Sequence, residues 1–180
     1  MRKRLLITIA VMILSGAEIW LYFYFPLYPS PYLDVNSYDE LQKKLEDTPE
    51  IILLEPDQVL FADSFELHHD RSRFARPKGC SVSGEILDGK ARLIIQCQPT
   101  ETTDSSPVSV MEYRGIAIKT YVWQSEIVYS QTLSFYSNGF YYTISSYIDL
   151  PDDQLDSHTE RAQSILTECA HAFVDKTYTY

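Results

Sequence analysis

The chain has 180 residues, 45% of them hydrophobic, with 15 basic and 25 acidic side chains and a net charge of −10. That length suits one domain with a real core. The acidity argues against nucleic acid as a partner and against anionic lipid surfaces, because binding to either is driven by positive charge.

The amino terminus reads MRKR and is followed by LLITIAVMILSGAEIWLYFYF, residues 5 to 25, long enough for a bilayer core that needs about 20 apolar residues. No Lys or Arg appears between Arg4 and Lys43, and that asymmetry places the amino terminus inside. The expectation is a cytoplasmic tail at 1–4, a single transmembrane anchor at 5–25 and everything after it outside the cell membrane. The alternative is secretion after cleavage near Ala17, since Ser15, Gly16 and Ala17 offer small residues before Glu18. Against cleavage stands IWLYFYF, whose Trp20, Tyr22 and Tyr24 suit an interfacial belt. Glu18 is a carboxylate inside the span. It is a candidate contact for a partner helix, or else reaches interfacial water.

PLYPSPYL, residues 26 to 33, carries prolines at 26, 29 and 31 and opens a stiff spacer over 26–36. The extracytoplasmic domain is expected over 37–180. Ser37-Tyr-Asp-Glu40 forms a capping box for a helix carrying Leu41 and Leu45 to about Glu46. The apolar run Ile51 to Leu54 predicts a short strand, and 58–69 another.

Next comes CSVSGEILDGKARLIIQC, residues 80 to 97, with Asp88 and Gly89 at its middle. Asp-Gly between apolar runs is a strong hairpin signal, because a type I′ turn needs positive φ at both central positions. Folding about it opposes Ile86 to Ala91, Gly84 to Leu93, Val82 to Ile95 and Cys80 to Cys97, all on one apolar face. These are the closely spaced, non-hydrogen-bonded pairs. Their separation falls at the short end of what a disulfide bridges, and outside the cytoplasm such a bond persists. A Cys80 to Cys97 disulfide is therefore expected, with two reduced cysteines packed as small hydrophobes as the alternative. Cys169 sits in the apolar stripe Leu155, Ala162, Ile165, Leu166, Cys169, Phe173 and reads as a buried thiol.

Residues 98 to 107 are rich in Thr, Ser, Pro and acids and read as a loop. VSVMEYRGIAIKTYVW then predicts two strands about Arg114 and Gly115, and 127–148 a hairpin about Asn138 and Gly139. One face of that hairpin carries Leu133, Phe135, Phe140, Tyr142 and Ile144, a core face. The other carries Thr132, Ser134, Tyr136, Tyr141, Thr143 and Ser145, the hydroxyl and tyrosine composition of adaptable recognition surfaces. It is the candidate binding face unless a helix covers it. A helix over 153–174, with Asp152, Asp153 and Asp156 at its positive end, closes the chain. The predicted fold class is α+β: an antiparallel sheet of six or more strands flanked by an amino-terminal and a carboxy-terminal helix, preceded by one transmembrane helix.

The run YRGIAIKTYVW, then LSFYSNGFYYTISS, then PDDQLD leading into ILTECAHAF, resembles an uncharacterised family of membrane-anchored extracytoplasmic proteins of Gram-positive bacteria. The resemblance covers residues 108–174, with Phe135 where the family has Trp. It implies an α+β domain outside the membrane, sometimes with regulatory neighbours, and supplies no catalytic residues.

The residues offer little chemistry of their own. No phosphate-binding glycine loop is present. His68 and His69 are adjacent, so on a strand they point to opposite faces. Asp149, Asp152, Asp153 and Asp156 lack the spacing of a calcium loop. No cofactor, metal or catalytic residue is assigned. The expected function is binding, as a ligand- or partner-binding accessory of an envelope regulatory system. The alternatives are an envelope assembly or structural component and, behind it, an envelope enzyme.

Overall fold

The computed structural model describes residues 31–69, 76–102 and 105–178. The expected cytoplasmic tail, the anchor at 5–25 with Glu18, and the start of the spacer lie outside the described residues. Among the described residues no helix is long and apolar enough to cross a membrane.

Ten elements follow in chain order: β1 (Tyr32–Val35), α1 (Tyr38–Leu45), β2 (Ala62–His69), β3 (Pro77–Ile86), β4 (Ala91–Gln98), β5 (Ser109–Tyr113), β6 (Ile116–Gln124), β7 (Val128–Ser137), β8 (Phe140–Asp149) and α2 (Leu155–Thr177). All eight strands join one antiparallel sheet in the order β1-β2-β3-β4-β8-β7-β6-β5. Two four-stranded meanders thus meet along β4 and β8, and α+β is the class.

Turn chemistry sets the registers. Positive φ occurs at Leu87, Asp88 and Gly89, at Arg114 and Gly115, and at Asn138 and Gly139, the left-handed geometry that short hairpin turns demand. The β3–β4 ladder pairs Cys80 with Cys97, Val82 with Ile95 and Ile86 with Ala91 as the Asp-Gly turn requires. The β7–β8 ladder pairs Phe135 with Tyr142 and Tyr136 with Tyr141. Gly84 answers a different need: it faces a register shift in β2, where an added Cβ would stand 1.9 Å from the Phe61 carbonyl oxygen.

One face of the sheet holds the core. Leu93, Leu133, Tyr142, Ile144 and Ile148 on that face are fully buried beneath α2, whose Ala162, Leu166, Ala170, Phe173 and Val174 recur at helical spacing and are buried with them. Leu155, Ile165 and Cys169, predicted in the same stripe, lie half-buried at its margin. Helix α1 packs on β1 and β2. Its Ser37 Oγ accepts from the Glu40 amide, while the Glu40 carboxylate turns back to the amide and side chain of Asn36, not to Ser37. The capping box is therefore half formed.

Three expectations are corrected. Tyr32–Val35, assigned to the spacer, is an edge strand paired with Phe65 to His68; proline-bounded chain is extended already, and an edge tolerates its missing donors. The predicted strand at Ile51 to Leu54 has no ladder. It is an irregular strap whose backbone is served by side chains: Ile52 N donates to Tyr142 Oη (2.9 Å), Tyr38 Oη donates to Leu54 O (2.5 Å), and Lys176 Nζ donates to Leu53 O (2.8 Å). Three elements thus satisfy a buried segment that lacks a sheet partner. The strand predicted at 58–69 begins only at Ala62, after a 3-10 turn over Pro56–Val59.

Candidate functional site

The second face of the sheet is the candidate site. Both helices and the strap lie on the core face, and the second face carries the residues that alternate with the core. Directly opposed residues share a face, so the registers define its rows. Trp123, Ser130, Tyr147, Arg92 and Glu85 form one; Tyr121, Thr132, Ser145, Ile94 and Ser83 form the next. Lys119, Ser134, Thr143, Gln96, Ser81 and Glu66 follow, and Tyr136, Tyr141 and Gln98 lie beyond them.

All six predicted face residues share this side. Tyr136 is exposed and Tyr141 half-buried, their rings 4.9 Å apart. Ser134, Thr143 and Ser145 are buried and Thr132 half-buried, with Thr132 Oγ1 and Ser145 Oγ hydrogen-bonded at 2.8 Å. These short side chains form the floor, screened by longer neighbours. No described helix covers the face. The connection from β4 to β5 reaches it where Glu101 meets Lys119 Nζ at 2.8 Å, and a cleft of about 310 Å³ opens there beside Tyr136 and Tyr141.

Sequence reasoning missed Trp123 and Tyr147, which are 59% and 37% exposed on this face. Tyr147 follows from the Asn138-Gly139 register by counting in steps of two. Trp123 needs the β6–β7 pairing, and no glycine marks that turn. It is set by Ser125, whose Oγ accepts from the amides of Ile127 (3.3 Å) and Val128 (3.1 Å).

A second hollow, about 710 Å³, lies on the helix side between α1, the strap and the β7–β8 turn, lined by Leu45, Glu46, Pro49, Ile51, Asn138 and Lys176. Lys176 also pairs with Glu55 at 2.6 Å. Beyond that bridge a shallower hollow of about 560 Å³ is lined by Arg114, Glu168, His171 and Asp175, with Arg114 Nε on Asp175 at 2.9 Å and the His171 ring stacked on Tyr113 at 3.7 Å. The charges here serve the fold by tying α2 to the strap and to the β5–β6 turn.

Cys80 and Cys97 face each other in the core, and the disulfide expected between them is not formed in this structure; both are free thiols. Burial pushes the Cys97 thiol up to about 12 and the Cys80 thiol well above its usual value. The Tyr142 hydroxyl is raised too, first by burial and next by the neighbouring Cys97. In this structure the pair packs as the reduced alternative describes, and burial favours thiol over thiolate. Cys169 is half-buried, its thiol raised to about 11 by burial.

The histidines are separated: His68 is half-buried with its Nε2 4.0 Å from Glu66 and its ring edge-on to Tyr32, and His158 Nδ1 donates to Asp152 Oδ2 at 2.5 Å. Among the described residues no group of three or more His, Cys, Asp or Glu side chains gathers as for a metal ion. The acidic residues lead into α2: Asp152 Oδ1 accepts from the amide of Gln154, the N-cap residue, at 2.9 Å, and no side chain caps the first turn itself. No family model, curated protein or solved structure matches the chain.

Proposed function

We propose that the chain is a membrane-anchored, extracytoplasmic binding domain, a non-enzymatic accessory that recognises a ligand or partner through its open sheet face. One observation carries the reading. Among the described residues, Tyr32, Trp123, Tyr136, Tyr147 and Tyr178 are the exposed large aromatics, and all but Tyr178 lie on that face. Aromatic side chains left in water beside hydroxyl and amide groups are the anchors of recognition surfaces, since each buries a large area at small entropic cost. Exposed singly they would need no explanation; four on one face, with Trp123 and Tyr147 two strands apart in one row, call for one. The anchor at 5–25 and the resemblance over 108–174 supply the location.

The test is a photo-crosslinking amino acid at Tyr136 in the full chain, expressed in its own cells. A discrete adduct is expected there and not with the crosslinker at Glu160, on the exposed side of α2. Identical products from both positions, or none from position 136, would refute the reading.

A further inference from the structure

We infer that Gln131, Ser146 and Gln163 hold one structural water between the sheet and α2. Gln131 on β7 and Ser146 on β8 stand directly opposed on the core face, between the pairs Leu133–Ile144 and Tyr129–Ile148. Side chains so opposed lie ~5 Å apart. Gln163 reaches the same level from α2. Phe173 packs on Phe135 and Tyr142, and α2 starts shortly after β8 ends at Asp149, so the helix runs back along β8. From Phe173, ten residues of helix span ~15 Å; from Phe135 and Tyr142, four residues of strand span ~13 Å. The first step ends at Gln163 and the second at Gln131 and Ser146. The flank is fixed as well. Thr167 and His171 follow Gln163 at four-residue intervals, and the His171 ring stacks on Tyr113 of β5, so this side of α2 faces β7, β6 and β5.

Three oxygens at this level, Gln131 Oε1, Ser146 Oγ and Gln163 Oε1, are buried with no hydrogen-bond partner among the described residues. Buried polar atoms are served by protein or by ordered water. Turning the Gln163 amide brings no relief. Its Nε2 donates to Thr167 Oγ1 at 3.3 Å, and that hydroxyl gives its own proton to the Gln163 carbonyl at 2.8 Å, so Oε1 cannot take the place of Nε2. A water supplies what the three groups lack: two protons for the amide oxygens and a lone pair for the Ser146 hydroxyl. Those are the three bonds that a buried water typically makes. Ser146 and Ala162 are fully buried and small, which leaves space that a longer side chain would fill. None of the three groups is charged, so a cation there would be buried unpaired, and an anion would face acceptors.

The test is water-selected NOE and ROE spectroscopy of the full chain in detergent micelles, deuterated except for alanine methyls and exchangeable protons. Cross-peaks are expected from the water resonance to the Ala162 methyl and to the side-chain amides of Gln131 and Gln163. Their NOE and ROE should have opposite signs, which marks a long-lived water and separates it from passing solvent. Ser146→Val puts two methyls in the same space and should abolish the Ala162 cross-peak while the spectrum stays dispersed. If that variant does not fold, Gln163→Met carries the same test, since it removes one acceptor at unchanged length and should also abolish the long-lived signal. Absence of these cross-peaks in the parent, NOE and ROE of equal sign, or an Ala162 cross-peak that survives in the folded variant overturns the inference.

Discussion

Tyr142 shows how much one side chain carries here. It is fully buried on β8, yet its hydroxyl accepts from the Ile52 amide at 2.9 Å. Tyr142→Phe keeps the ring and strands that amide in the core. Leaving a buried donor unsatisfied costs about 1–3 kcal/mol, so denaturant unfolding should show a loss of that size. A variant as stable as the parent would mean that the strap is held otherwise. Asp152 makes a prediction in pH. The His158 hydrogen bond, and then the Gln154 amide, hold its carboxyl below the usual carboxylate value. A group with a depressed folded pKa contributes stability above its unfolded pKa, and that contribution is lost as pH falls through the folded value. Melting temperature should therefore fall less steeply with acidification in Asp152→Asn than in the parent. Parallel acid profiles would remove Asp152 from the account. Neither role is legible in the sequence. The partners of Tyr142 and Leu54 lie 90 and 16 residues away, and apolar patterning predicts that a residue is buried without saying which backbone group its hydroxyl serves.

At the scale of elements, legibility follows the range of the signal. Asp88 with Gly89, Arg114 with Gly115 and Asn138 with Gly139 mark three hairpins, because the turn geometry is local and only certain residues adopt it cheaply. The pairing of β4 with β8 joins residues about 50 apart, such as Ile95 and Ile144, and no turn announces it. The strap looks like a strand because four consecutive apolar residues satisfy any buried segment. β1 looks like a spacer because its pairing partner lies beyond α1. The β3–β4 hairpin also carries a chemical prediction. Cys80 and Cys97 stand opposed in register, so an oxidising compartment with a disulfide donor should join them during folding, before burial raises both thiols. Mass mapping of exported protein, alkylated without reductant, should link the Cys80 and Cys97 peptides and label Cys169 only on unfolding. Replacing both hairpin cysteines by serine should then cost about 2–5 kcal/mol. A linked pair containing Cys169, or hairpin thiols that both react in the folded protein, would contradict this.

The described residues form a one-sided sheet: two helices and a strap bury one face, and the other carries hydroxyls, amides, rings and a few charges such as Lys119, Arg92, Glu85 and Asp149. An eight-stranded sheet needs one covered face for its core, and an antiparallel one leaves the second free for water or a partner. The six-residue face read from the β7–β8 hairpin is the centre of that surface, and its aromatic rim became visible only when the registers of β6 and β8 were joined. Position and occupancy are tested together by cysteine labelling of intact cells with a membrane-impermeant maleimide, using Glu160→Cys on α2 and Tyr136→Cys on the open face. The account predicts that the cysteine at 160 reacts in intact cells, and that the one at 136 reacts at least several-fold more slowly in cells than in the purified full chain. Reaction at 160 only after lysis would put the domain on the wrong side of the membrane, and equal rates at 136 in cells and in isolation would show that nothing occupies the face.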